Sequence, residues 1–498
     1  MKLVLGLRLQ TSILLMLLGI TLVVWGLHRP LPPTPSTLTG LPALADTAFT
    51  LLLWGYLTLL GAALGERVLR WLRLSRLSDG ERLLWSAPTG LILIGYPAYA
   101  LGWLGLFHRP VIAGLILGMA FWLAPDMAAS AWQAIRALQS APASLMGSSR
   151  TARWAGWLMA TLLGFRFLIA LTSPTAYDAL WYHLEAPRRF LEAGRIYPDF
   201  HNWPANYAFG TSMLYAIPLA LGDDIAPQLL HWTFGLAFLG LTLGLARPYA
   251  EEWAWVAPAF MLTMPALTFR LMPAALADVA AACLELMALS ALLRASKGQE
   301  PGWLMAAGIW TGLAIGSKFS SLPILATGVA FWIWRGFPMG IPGRVRRLIS
   351  SLILPLILAA PGYLKNALWF GTPLFPAWLR SNDTGVNFRS YLYQEYTNSK
   401  KATGLGRAIF FVWALFAPER IDSVSLPWMA PLGLLISMLF TRWLPVEVIG
   451  LVGARAFLWA LGPPGIRFLR WRSGASGSPP RYPHAQARID GIASARGR

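Results

Sequence analysis

The chain has 498 residues, of which 56% are hydrophobic and 13% charged, and its mean hydropathy is +0.53. This composition excludes an ordinary soluble globular enzyme and an intrinsically disordered protein. At roughly 20 apolar residues per span, the length accommodates about 11–14 transmembrane helices. We therefore expect an all-α fold, a polytopic transmembrane helical bundle whose extracytoplasmic loops carry interfacial helices.

The formal net charge is +19. In a soluble protein this excess would suggest nucleic-acid binding, but here the arginines cluster in short segments between apolar runs, such as 65–84 and 125–153. Under the positive-inside rule these segments are cytoplasmic. We therefore expect contact with membrane lipids and no nucleic-acid partner. The single cysteine, Cys283, excludes a disulfide framework and a cysteine-based metal cluster.

The first apolar run, residues 3–27, is too long for a signal-peptide core and predicts a retained span. Further spans are predicted at about 47–64, 85–107, 111–124, 154–172, 225–246, 253–268, 275–293, 302–316, 320–334, 347–370, 427–441 and 444–462. The short apolar stretch 206–221 is interpreted as a helix at the outer interface. The basic segments then place the N-terminus in the cytoplasm and residue 173 outside, which predicts a multi-pass protein of the plasma (inner) membrane.

The spans divide the chain into four regions. Residues 1–153 form four N-terminal transmembrane helices, and residues 154–380 form a core whose first outer loop is 173–226. Residues 381–462 contain a second outer loop and the last spans. Residues 463–498 form a basic tail, rich in Gly, Ser, Ala and Arg, which is typical of a disordered or out-of-frame end.

The first outer loop carries six of the 22 acidic residues of the chain. On an α-helix that begins at Asp178, Tyr182 and Glu185 share the face of the aspartate, while His183 lies well around the helix. A carboxylate at the membrane boundary, crowded by aromatic rings, can act as a general base. The competing interpretation is that acids and arginines only solvate an interfacial helix.

Isolated charges near the outer ends of the spans form a second feature: Arg166, Arg270, Asp278, Lys318 and Lys365. Ionisable groups at membrane depth are costly, so they line polar cavities or pair with each other. Singly, each of them can instead extend to the interface. A cation at this position could bind a lipid phosphate. An aspartate could accept the proton of an acceptor hydroxyl or amine.

Four motifs carry a resemblance to a known family. They are Tyr177-Asp178 through Gly194-Arg195-Ile196, Ala277-Asp278-Val279, Gly308 through Gly312, Gly316, Lys318 and Phe319, and Pro361 through Lys365-Asn366 followed by Phe370 to Pro376. Together, over about 155–380, they resemble the GT-C superfamily of membrane glycosyltransferases that use polyprenyl-phosphate sugars. This group includes protein O-mannosyltransferases, aminoarabinose transferases and Rgt-like enzymes.

The resemblance implies transfer of a hexose or pentose from a polyprenyl-phosphate donor to a glycan, lipid or protein acceptor on the extracytoplasmic face, with inversion at the anomeric carbon. It implies that Asp178 is the base, with His183 and Glu185 as catalytic support. The phosphate and substrate would bind to Lys318, Lys365, Asp278, Arg270 and Tyr182. Many relatives have a second acid directly after the first-loop aspartate, whereas this chain has Ala179. The missing second acid weakens the case for a divalent-metal site. No cofactor is therefore assigned, and use of a divalent cation stays open.

Two other functions fit parts of the sequence. A transporter or flippase of a lipid-linked or anionic solute also has charged spans and helices interrupted by Gly and Pro. Such a protein would have a midplane site between two similar halves, whereas here the acids concentrate in an outer loop and no duplicated halves are found. An inactive scaffold of cell-envelope assembly is the third alternative.

Overall fold

The computed structural model describes residues 2–32, 40–199, 202–207, 210–263, 267, 271–297, 300, 302–335 and 341–375. All regular elements in these ranges are helices. The α-helices are Lys2–His28 (α1), Leu41–Trp71 (α2), Asp79–Trp103 (α3), Arg109–Met146 (α4), Arg150–Ala170 (α5), Glu185–Ala193 (α6), Gly210–Ala220 (α7), Ala226–Ala250 (α8), Val256–Thr263 (α9), Asp278–Ser296 (α10), Gly302–Ser317 (α11), Pro323–Arg335 (α12) and Ile341–Phe370 (α13). The prediction of an all-α polytopic helical bundle is confirmed.

Within the described residues, six helical segments are long and apolar enough to cross a membrane. They are Gly6–His28, Leu41–Trp71, Arg109–Ala143, Ala226–Thr263, Asp278–Ser296 and Ile353–Phe370. Large apolar side chains such as Phe121, Trp154 and Leu368 lie exposed on the outside of the bundle, where a bilayer solvates them. The predicted spans 427–441 and 444–462 and the basic tail lie outside the described residues.

Helices extend into several of the predicted loops, including 65–84, where α2 continues to Trp71 and α3 begins at Asp79. Helix α4 continues from the predicted span 111–124 to Met146, so most of the predicted loop 125–153 is helical and contains Pro125 and Pro142. Each proline removes one helical hydrogen bond, yet the helix continues through both positions, and α4 packs on α1 and α2. Helix α13 begins at Ile341, so the basic residues that were predicted to lie in a loop before 347 belong to its first turns.

Helix α7 corresponds to the predicted interfacial helix 206–221. Its 11 residues, Gly210–Ala220, cover about 16 Å, which is too short to cross a bilayer. Residues 211–220 are all buried, because α7 packs against α3, α6 and α11. The prediction of a short helix is confirmed, but α7 is enclosed by protein and does not lie on the surface.

Helices α2 and α3 pack with their backbones in contact. A Cβ atom on Gly65 would lie 1.9 Å from the carbonyl oxygen of Ser86, and one on Gly90 would lie 1.8 Å from that of Gly61. Small residues at such positions allow two helices in a membrane to approach closely. This pair of helices is therefore sensitive to a single added methyl group.

Gly65→Ala is expected to destabilise the protein by ~1–3 kcal/mol, because α2 and α3 must separate to admit the methyl group. The matched control is Gly55→Ala in the same helix, where an added Cβ meets no atom within 4 Å. The thermal unfolding temperature of the purified protein in detergent, measured for both variants, checks this prediction. Equal unfolding temperatures for the two variants would contradict the close packing.

The two ends of the bundle differ in their polar contacts. At one end, where α2 ends and α3 begins, arginines pair with acids: Arg67 and Arg70 with Asp126, Arg82 with Glu66, and Arg294 with Glu81. We call this the arginine end. At the opposite end, Arg109 donates to the carbonyl oxygens of Ala220 (2.7 Å) and Gly26 (2.8 Å), which joins α1 and α4 to the C-terminus of α7. The candidate site residues lie at this second end.

Candidate functional site

Asp178 lies at the start of a π-helical turn, Ala179–His183, that precedes α6. The N–H of Leu184 donates to the carbonyl oxygen of Ala179 at 2.9 Å, so this turn holds more residues than an α-helical turn. The prediction of a regular α-helix from Asp178 to Glu185 is therefore wrong. The expectation that Glu185 lies on the same helix face as Asp178, which depended on that helix, does not apply. The Asp178 side chain is exposed, and the Tyr182 hydroxyl makes a long hydrogen bond of 3.5 Å to its Oδ2.

Asp278 and Lys318 form an ion pair with an Nζ–Oδ1 distance of 2.5 Å. Asp278 is the first residue of α10 and Lys318 directly follows α11. The helix dipole favours a carboxylate at an N-terminus and an ammonium group at a C-terminus, so each charge is stabilised by its own helix. Their side chains are 19% and 33% exposed, so the pair is partly accessible. Two of the isolated charges in the sequence thus meet.

Tyr182 interacts electrostatically with both Asp178 and Asp278. Burial and the nearby carboxylates of Asp178 and Asp278 raise the pKa of Tyr182 far above its usual value. The phenol is therefore protonated at physiological pH and donates its hydrogen bond to Asp178. Its ring also contacts the ring of Tyr207, with the centroids 6.0 Å apart.

His183 is buried behind Tyr182, and its Nδ1 lies 2.9 Å from the hydroxyl oxygen of Ser212 in α7. Burial, together with the positive charge of Lys318, lowers the pKa of His183 to about 3. The imidazole is therefore neutral at physiological pH. It fixes the π-helical turn to α7 and cannot serve as a cation for a phosphate.

His231 is a residue of this site that the sequence analysis did not identify. It lies in α8, is completely buried, and interacts electrostatically with Asp278, Lys318 and His183. Its ring lies against the main chain of Met272 and Ala274, at the start of the segment that leads into α10. In the sequence it is one histidine within an apolar run, and only its packing against α10 reveals the proximity.

Glu185 is held by two arginines of its own helix. Its carboxylate accepts hydrogen bonds from Arg188 at 2.7 and 2.8 Å and from Arg189 at 2.7 Å. Burial raises the pKa of Glu185, but the hydrogen bonds from these arginines outweigh it, so that the pKa lies below its usual value. Glu185 is thus an ionised member of a surface charge network on α6.

Lys365, predicted to bind phosphate, is 0% exposed. Its ammonium group donates to the main-chain oxygens of Asn206 at 2.9 Å and Tyr207 at 3.1 Å. Arg166 is buried in α5 and its Nη1 lies 3.4 Å from the carbonyl oxygen of Leu162. Arg270 lies outside the described residues.

The described side chains of this end supply an exposed carboxylate, a protonated phenol and an ammonium–carboxylate pair. Among the described residues, no group of three His, Cys, Asp or Glu side chains is arranged to hold a metal ion. Comparisons with protein-family models, with curated proteins and with solved structures each found no match. A functional proposal therefore depends on the residues of this site and their geometry.

Proposed function

We propose that the protein is an integral membrane glycosyltransferase that moves a sugar from a polyprenyl-phosphate donor to an acceptor, with inversion and with Asp178 as the general base. The observation that carries this proposal is the placement of Asp178, Tyr182 and the Asp278–Lys318 pair at one end of the bundle. The motifs that resemble those of the GT-C superfamily contain all four residues, which is further support for the proposal.

The proposed reaction needs one base and one cation. The acceptor oxygen attacks the anomeric carbon on the face opposite the phosphate, and Asp178 takes the proton of the acceptor. The bond between the anomeric carbon and the phosphate oxygen breaks, and its electron pair leaves with the phosphate. The lipid phosphate leaves as an anion and requires no protein acid, so stabilising its negative charge is the second task of the site.

Lys318 is placed to perform that second task. Its ammonium group has three N–H donors, of which one is directed at Asp278. The 33% exposed side chain can keep this hydrogen bond while other donors bind a phosphate oxygen. Charge-assisted hydrogen bonds of this kind are among the strongest that a protein makes with an anion.

The distribution of charges supports an extracytoplasmic site in the plasma membrane. The arginine end fits the cytoplasmic side under the positive-inside rule, and the candidate site lies at the opposite end. The apolar outer surface of α1, α4, α5 and α13 allows a polyprenyl chain to approach the bundle from the bilayer. A donor lipid would then present its phosphate at the level of Lys318.

Release of free polyprenyl phosphate by the detergent-purified protein tests the proposal. A panel of polyprenyl-phosphate sugars is incubated with a cell-envelope extract as the source of acceptors, with and without a chelator. We expect release from one donor class, and the chelator arm determines whether a divalent cation is needed. Donors that bind without any release would contradict the transferase, and a flipping assay in proteoliposomes would then test the transporter.

A further inference from the structure

The ammonium group of Lys365 is buried in protein and directed at the main chain of the first outer loop. It donates to the carbonyl oxygens of Asn206 and Tyr207, and it lies 5.2 Å from the centre of the Trp369 ring. A buried ammonium group is costly unless its hydrogen bonds are satisfied. Two carbonyl acceptors and an aromatic face meet that requirement here. Lys365 therefore joins α13 to the loop.

The segment that Lys365 holds is a turn built from asparagines. We call Asp199 together with residues 202–207 the asparagine turn. The Asn206 side chain accepts from the N–H of Asp199 at 3.0 Å and donates to its carbonyl oxygen at 2.6 Å, which closes the turn. The N–H of Asn202 donates to Oδ1 of Asp199 at 2.8 Å.

The asparagine turn also contacts the π-helical turn that carries Asp178. The Nδ2 of Asn202 donates to the carbonyl oxygen of Trp181 at 2.5 Å, and the ring of Tyr207 meets that of Tyr182. Arg189 of α6 also reaches Oδ2 of Asp199 at 3.3 Å. A continuous set of contacts thus runs from α13 to the residues beside Asp178.

We propose that Lys365 is a positioning residue that fixes the asparagine turn on α13 and, through Asn202, sets the position of the π-helical turn that carries Asp178. This positioning role differs from phosphate binding, because the ammonium group donates to the main-chain carbonyl oxygens of Asn206 and Tyr207. The expected effect of Lys365 on turnover rests on the proposed function. Its expected effect on the structure of the asparagine turn does not.

Hydrogen–deuterium exchange of Lys365→Met in detergent tests the first step. The amides of Ala205 and Tyr207 bond within the asparagine turn. We expect both to exchange at least tenfold faster in Lys365→Met, because methionine fills a similar volume but donates no hydrogen bond. The matched control is Lys297→Met, which removes a lysine that donates to Tyr249 at 2.7 Å near the end of α10. This control should leave both amides unchanged.

Asn202→Ala tests the second step and keeps Lys365 in place. We expect the Leu184 amide of the π-helical turn to exchange faster in this variant, while Ala205 and Tyr207 stay protected. In the double variant with Lys365→Met, the effect on Leu184 should be smaller than the sum of the two single effects, because both residues act through a shared set of contacts. Additive effects on Leu184 would overturn the coupling.

Kinetics separate positioning from phosphate binding. Lys365→Met should lower kcat at least tenfold with donor affinity changed less than twofold, and Lys365→Arg should recover part of kcat. A tenfold loss of donor affinity with normal exchange in the asparagine turn would overturn the proposal. If the wild-type protein transfers no sugar, the exchange results still decide whether Lys365 holds the loop. If Lys365→Met does not fold, Lys365→Arg and Asn202→Ala provide the exchange test.

Discussion

Asp178→Asn is expected to reduce sugar transfer by ~10²–10⁴-fold, the usual contribution of a positioned general base. Asparagine keeps the shape of the side chain and can still accept the hydrogen bond from Tyr182, so donor binding and folding should be unchanged. The amide has no basic oxygen that could take the proton of the acceptor. Single-turnover transfer with saturating donor, together with donor binding measured separately, checks both expectations.

Glu192→Gln is the matched control for this substitution. Glu192 lies in the same loop segment, is exposed, and accepts a hydrogen bond of 2.6 Å from Arg188. Its replacement removes one negative charge from the loop and should leave transfer within about twofold, because surface ion pairs contribute little. Turnover that persists in Asp178→Asn would remove the base assignment. Equal losses in both variants would indicate a general effect of charge in the loop.

Lys318→Met is expected to weaken donor binding by roughly 10–100-fold, which corresponds to the loss of one hydrogen bond to a charged group. Asp278→Asn should behave differently. It frees the ammonium group from its carboxylate partner, so donor binding is retained even though the ion pair at 2.5 Å is lost. Binding of a labelled polyprenyl phosphate to the two purified variants measures this difference.

The double variant Asp278→Asn with Lys318→Met separates binding from folding. If the pair were only structural, each single substitution would leave a partly buried charge unpaired and destabilise the protein, and the double variant would restore both stability and binding. We expect the double variant to restore thermal stability but not donor binding. Recovered donor binding in the double variant would contradict the assignment of Lys318 to the phosphate.

Much of the fold could be predicted from composition and hydrophobic runs, because helices in a bilayer satisfy their own backbone groups. The runs at 3–27, 47–64 and 85–107 correspond to α1, α2 and α3. The predicted helix boundaries were wrong where a local sequence feature, such as a proline or a short apolar run, competes with tertiary packing. Pro125 interrupts the apolar run of α4 without ending the helix, and α7 is enclosed by neighbouring helices although it is too short to span.

The site was less predictable, because its geometry depends on which helix ends meet. Asp278 and Lys318 were identified singly, and their pairing follows from the packing of α10 against α11. The π-helical turn after Asp178 has no signal in hydrophobic spacing, so the placement of Glu185 was wrong. The proximity of His231 to the site is visible only from its burial. The contact of Lys365 with a main-chain carbonyl oxygen is visible only from its hydrogen bonds.

Photo-labelling tests most directly whether a lipid phosphate binds at this end of the bundle. A polyprenyl phosphate with a diazirine next to the phosphate is irradiated with the purified protein, and the labelled peptides are identified by mass spectrometry. We predict labelling of the segments around 177–182 and 317–322, and a loss of both labels when an excess of unlabelled polyprenyl phosphate is added. Labels confined to the arginine end or to the outer faces of α1 and α5, without competition, would contradict the site and the function built on it.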